Sequence, residues 1–210
     1  MWNHPPLELQ KGYVDISMPG YIPKALNTYQ HPKPKLPQDA PSKFKPINSG
    51  ATVQNPDVDT SPHISKERIR HIQDVVGTLL YYGREVNPTL LATLSKIVSR
   101  QSFATEDLAE AITQLLDYVA TRTNVGVHYV ASDMVLNLHS EASYLSEPKA
   151  KIRAGGHFWL GNKNDEHFNN GAIVTLSSVI KHVMSSASEA ELAALFYNCK
   201  AAVPLRITLE

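Results

Sequence analysis

Apolar positions recur at helical spacing through the middle of the chain and at alternating spacing towards its end. Ile69, Ile72, Val76, Leu79 and Leu80 predict a helix from about Ser65 to Tyr82. Asn87-Pro88, a capping residue before a proline at the first helical position, opens a second helix to about Arg100. Its stripe is Leu91, Leu94, Ile97 and Val98. Thr105, followed by Glu106 and Asp107 in the first turn, opens a third with Leu108, Ile112, Leu115, Leu116 and Val119. These stripes are core faces of a small helical bundle.

Beyond Asn124-Val125-Gly126 the period shortens. Val127–Ala131 is a β-type run and Ser132-Asp133 a turn. Met134–Ser140 alternates as a strand with Met134, Leu136 and Leu138 on one face. His157–Leu160 after Gly155-Gly156, and Ala172–Leu176 after Gly171, are two more strands. Ser185–Val203 reads as a helix whose apolar side is Leu192, Leu195, Phe196, Cys199 and Ala202. Ser188 and Glu191 have the spacing of a capping box. The fold class is α+β: helices first, then a β-β-β-α unit.

Proline divides the chain more sharply than charge does. Eleven of the 14 prolines lie in residues 1–62, where they remove amide donors and disfavour helix in the preceding residue. Residues 31–62, with Lys33, Lys35, Lys43 and Lys45 among the prolines, read as an extended, solvated linker. Residues 1–30 hold one hairpin-like run, Tyr13–Ser17, and a short helical pattern through Leu26. The division is therefore 1–30, a linker at 31–62, three helices at 63–124 and the mixed unit at 125–210.

Composition excludes several classes. Twenty Lys and Arg balance 20 Asp and Glu, which argues against a strongly basic nucleic-acid-binding chain. One cysteine excludes an internal disulfide framework and a cysteine-cluster metal site. No apolar run approaches the ~18 residues of a membrane helix, and the N-terminus carries no signal-peptide pattern. An intracellular chain without a membrane partner is expected. His139, His157 and His167 lack metal-pair spacing, and Asp133, Asp165 and Glu166 belong to turns. Cys199, on the apolar side of its helix, reads as a small core residue.

Two short motifs carry chemistry. His139-Ser140-Glu141-Ala142-Ser143-Tyr144 and Ser185-Ser186-Ala187-Ser188-Glu189-Ala190-Glu191-Leu192 resemble the first-strand and first-helix motifs of the ribonuclease H domain in copia-type retrotransposon polyproteins. Upstream, Gly77-Thr78-Leu79-Leu80-Tyr81 with Pro88, then Thr105-Glu106 with Leu115-Leu116-Asp117-Tyr118, resemble the helical connection between polymerase and ribonuclease H in the same elements. Ser17, Tyr21-Ile22 and Leu26 resemble the segment following the polymerase palm, and Gly155-Gly156 resembles the family's hairpin start.

The resemblance implies a helical connection followed by a truncated RNase H-like unit. The family hydrolyses the RNA strand of RNA–DNA hybrids with two Mg²⁺ ions held by four carboxylates. Carried over by position, the first two ligands are Glu141 and Glu191, which would be both catalytic and metal-binding. Ser140, Ser143 and Tyr144 would contact the hybrid backbone. Two departures imply lost activity. Glu141 stands where the family has Asp; an extra methylene moves the carboxylate by roughly 1.5 Å, and about 1 Å at a reacting centre costs on the order of a hundredfold in rate. The family's two later acids and the polymerase's Y-x-D-D motif have no counterpart in these residues.

The expected partners are an RNA–DNA hybrid and the remaining polyprotein segments. Val127–Ala131 is expected to fold against the outer edge of Met134–Ser140, which lacks the family's fourth strand. On the residues alone, Glu191 has a plainer role as the capping partner of Ser188, and Glu141 as a solvated turn acid. The alternative function is a non-catalytic interaction or scaffold module built on the helices at 65–122.

Overall fold

A computed structural model describes residues 12–43, 59–147, 151–163 and 170–209. The fold is α+β, with a helical unit and two small antiparallel sheets. In chain order the elements are β1 (Tyr13–Ser17), α1 (Tyr21–Thr28), α2 (Lys66–Glu85), α3 (Leu91–Arg100), α4 (Glu106–Thr121), β2 (Gly126–Val130), β3 (Val135–Glu147), β4 (Lys151–Gly161), β5 (Ala172–Ile180) and α5 (Ala187–Leu209).

The expected helical stripes form the larger core. Ile72, Val76 and Leu79 from α2, Leu94 and Ile97 from α3, and Leu108, Ile112, Leu115, Leu116 and Val119 from α4 pack together. Ser65 caps α2 by accepting the Arg68 N–H. The cap expected of Thr105 is used otherwise: its hydroxyl donates to Asp59, which also accepts from Ser61 and pairs with Arg100. These hydrogen bonds, the Ser61 hydroxyl first, hold the Asp59 carboxyl well below the usual carboxylate range.

Helix α1 and the residues flanking it belong to this unit rather than standing apart. Ile22 of α1 is fully buried in the helical core, with Met18, Tyr21, Leu26 and Tyr29 against it. Residues 31–43 lie along α4 instead of forming an open spacer. Gln38 N–H donates to Thr121 Oγ1, and the Gln114 side chain donates to Gln38 Oε1 and Ala40 O. His31 meets Asp117 at 2.7 Å, Asp39 pairs with Arg122 and Lys43 with Glu110. A proline-rich chain cannot satisfy its own carbonyls, and here helix side chains meet part of that need. The end of the predicted linker is held at the start of α4, where Asp59 accepts from Thr105, Ser61 Oγ accepts the Asp107 N–H and Pro62 O accepts the Glu106 N–H; residues 44–58 lie outside the described residues.

Two pairings differ from the sequence reading. Tyr13–Ser17 makes no hairpin: it pairs antiparallel with β2, from Tyr13 opposite Val130 to Ser17 opposite Gly126. The run at 127–131 is thereby taken and does not cover the edge of β3. The second sheet has the order β3-β4-β5, all antiparallel, and its strands extend beyond the expected runs. Glu141 is accordingly mid-strand, opposite Gly155, and not at a strand end. Gly155 and Gly156 lie within β4 and start no hairpin. Asn170 ties the sheets together: its amide donates to Val130 O and Leu160 O, and its Oδ1 accepts from Val130 N–H.

Candidate carboxylate site at the β3 edge

Helix α5 crosses one face of the β3-β4-β5 sheet with its small residues inward. Ala190 and Ala194 are fully buried against Ile152, Ala154 and Ile180, with Ala142 and Tyr144 beside them. Asn198 is 1% exposed in the same seam. Its Nδ2 donates to Ser140 Oγ and to Gly155 O, both at 2.8 Å. A side chain on Gly156 would collide with this amide, so glycine is what lets the helix approach β4. Close approach requires small groups on the inner face of the helix.

That requirement reverses the expected orientation of α5. Leu192 and Phe196 are 67% and 65% exposed, and Leu195 and Cys199 are exposed with them. Cys199 is therefore not a core residue. The sequence shows apolar residues on both sides of this helix, and the sheet selects the smaller side.

The start of α5 also differs from the sequence reading. Ser186 Oγ accepts the Glu189 N–H, while Glu189 Oε2 accepts from the Ser185 N–H and hydroxyl, each at 2.7 Å. These bonds, the Ser185 hydroxyl first, draw the Glu189 carboxyl below its ordinary value. The cap is built on Ser186 and Glu189, two residues ahead of the expected Ser188–Glu191 box. Glu191 is thus free to reach the sheet, where Oε2 accepts the Ala142 N–H at 3.0 Å.

The structure brings Glu191 beside Glu141 along the chain of β3 but not onto its face. Ser140, Ala142 and Tyr144 lie on the helix-covered face, whereas exposed His139, Glu141 and Ser143 alternate onto the other. Glu191 stands at the edge between them, bound to the residue after Glu141. Of the three residues expected at a nucleic-acid backbone, Ser140 accepts from Asn198 and Tyr144 reaches Met184 O at 3.5 Å. Ser143 Oγ is 2.6 Å from Ser146 Oγ and is exposed.

His139 and His157 face one another across β3 and β4, both against Trp159, with ring centroids 4.5 and 5.4 Å away. Asp133 accepts the Lys163 N–H, and it lies in the irregular connection between β2 and β3 rather than in the expected turn; Asp165, Glu166 and His167 lie outside the described residues. No group of three or more His, Cys, Asp or Glu gathers as a metal site among the described residues. No helix among them is long and apolar enough to cross a membrane. Sequence reading did not find Asn198, a polar residue in an apolar-looking helix that bridges two strands.

Comparison of the chain with models of protein families, with curated proteins and with solved structures found no match.

Proposed function

We propose that these 210 residues correspond to the connection region and the first half of the RNase H domain of a copia-type retrotransposon polyprotein, and that by themselves they do not hydrolyse nucleic acid. The observation that supports this reading most is the bond from Glu191 to Ala142 N–H. It couples the two motifs that carry the resemblance, one on a strand and the other on a helix 49 residues later. A three-stranded antiparallel sheet covered by the following helix is the arrangement the reading requires.

Glu141 and Glu191 are hard oxygen donors of the kind Mg²⁺ selects, and one or two carboxylates with waters suffice for a single ion. Glu191 retains Oε1 when Oε2 holds the Ala142 amide. In the family two such ions activate water for attack on a phosphodiester; a single ion held here, without the remaining acids, would bind without supplying that step. The two acids fall short of the four that the family uses for its ion pair, and Glu141 carries a longer side chain than the family's Asp. The chain's contribution is therefore to hold a hybrid's backbone and one divalent ion at the β3 edge, without turnover.

A labelled RNA–DNA hybrid, incubated with the full chain in Mg²⁺ or Mn²⁺ beside Glu191→Gln, tests both parts. The reading expects no cleavage and tighter retention of the hybrid than of duplex DNA. Cleavage lost in Glu191→Gln would overturn the loss of activity. Equal or absent retention of the two duplexes would overturn the nucleic-acid role.

A further inference from the structure

Strand pairing sets two histidines that are distant in sequence directly opposite each other. His139 of β3 faces His157 of β4 in the antiparallel register. Both rings pack against the Trp159 indole, at 74° and 44° to its plane, so the pair shares one face of the sheet. That face is the one away from α5, which covers Ala142 and Ala154 instead. Neither imidazole has a hydrogen-bond or ion-pair partner among the described residues. His31 and His128, by contrast, are bonded to Asp117 and Asp15. Spacing along the chain conceals the pair, and the ladder creates it.

Opposed residues on one sheet face have Cβ atoms about 4.5–5.5 Å apart. From there two imidazole nitrogens reach a single ion at about 2.0–2.1 Å each. His139 is exposed, so its ring has room to turn towards His157. Imidazole suits Zn²⁺, Ni²⁺ and Cu²⁺, whereas Mg²⁺ takes oxygen ligands. Local charge favours a cation. Glu141 follows His139 on the same face, opposite Gly155, while Arg153 further along is bonded to Glu147. We infer that His139 and His157 chelate a borderline divalent metal ion of the Zn²⁺ class, with water in its remaining positions. Closed structural sites use four protein ligands, so an ion held by two rings is exchangeable. The site draws on nitrogen ligands and does not involve Glu191.

Trp159 reports the ion, because it touches both rings. The chain's other tryptophan is Trp2, and Trp2→Phe leaves Trp159 as the fluorophore. In the full chain carrying that change, Ni²⁺ should quench the fluorescence saturably. Zn²⁺ should compete and restore it, and excess Mg²⁺ should not. His139→Gln and His157→Gln should each remove the saturable quenching with circular dichroism unchanged. The exposed position of His139 makes the first of these a test of the ligand and not of the fold. Glu191→Gln should keep the quenching, which separates this site from the carboxylate site. Quenching that never saturates, that survives either histidine substitution, that Zn²⁺ leaves unaffected, that Mg²⁺ reverses, or that Glu191→Gln removes would overturn the inference.

Discussion

Glu191 accepts the backbone N–H of Ala142 at 3.0 Å, joining the beginning of α5 to the outer edge of β3. That edge has no strand partner among the described residues, so its amides require water or a side chain. The carboxylate satisfies one of them and, in doing so, comes to rest one residue from Glu141. An acid fixed in this way serves the stability of the seam whether or not it also binds a metal.

In Glu191→Ala, hydrogen exchange at Ala142 should accelerate at least tenfold, while Ala154, in the interior ladder, keeps its protection. A net contribution of about 1.5–3 kcal/mol is expected for a hydrogen bond to a charged group, reduced by the exposure of Glu191. Unchanged exchange at Ala142 would show that the bond is not maintained in solution.

Gly156 and Asn198 form a second coupled pair. Gly156→Ala should destabilise the β3-β4-β5–α5 unit by about 1–3 kcal/mol, as overpacking does. Asn198→Ala should cost a similar amount by leaving Gly155 O and Ser140 without their donor. The double variant should cost less than the sum, because the collision and the lost bonds involve the same side chain. Additive losses in denaturant titrations would contradict this geometry.

Asp59 provides a pH signature. Its carboxyl is held below its ordinary value in the folded chain, so the ionised form stabilises the fold above the unfolded value of about 3.9. This contribution is lost as pH falls through that value towards the folded one. Asp59→Asn should therefore be less stable than the parent at pH 5–7, with the gap narrowing steadily below about pH 4. A constant gap down to acid unfolding would exclude the proposed hydrogen bonds with Ser61, Thr105 and Arg100.

Leu115 is fully buried among the helices, whereas Phe103 is 80% exposed. Leu115→Ala should cost about 2–5 kcal/mol through lost contacts and a residual cavity. Phe103→Ala should stay within about 0.5 kcal/mol of the parent. Similar midpoints for both variants would contradict the assigned helical core.

The sequence was most readable where one side of an element is apolar and the other polar. Leu108, Ile112, Leu115 and Val119 point one way on α4, and that is the way they pack. Helix α5 offers no such contrast. Large residues lie on one side and alanines on the other, and only the distance to the sheet decides which side turns inward. The β1–β2 pair joins residues more than a hundred positions apart, and neither strand announces its partner. At the site, the structure joins Glu191 to Ala142 of β3, and the cap expected of Ser188 and Glu191 is formed two residues earlier by Ser186 and Glu189. Ser186 and Glu189 compete for the same role at the same spacing.

Mn²⁺-induced broadening of backbone amide NMR signals would reveal a divalent ion held at the β3 edge. The account predicts that signals from Glu141, Ala142 and Glu191 broaden together at low Mn²⁺, that Mg²⁺ reverses the effect, and that Glu191→Gln abolishes it. Signals at these residues that remain sharp, or that broaden no more than those of Asp133 and Glu110 elsewhere on the surface, would contradict a divalent-cation site at the β3 edge.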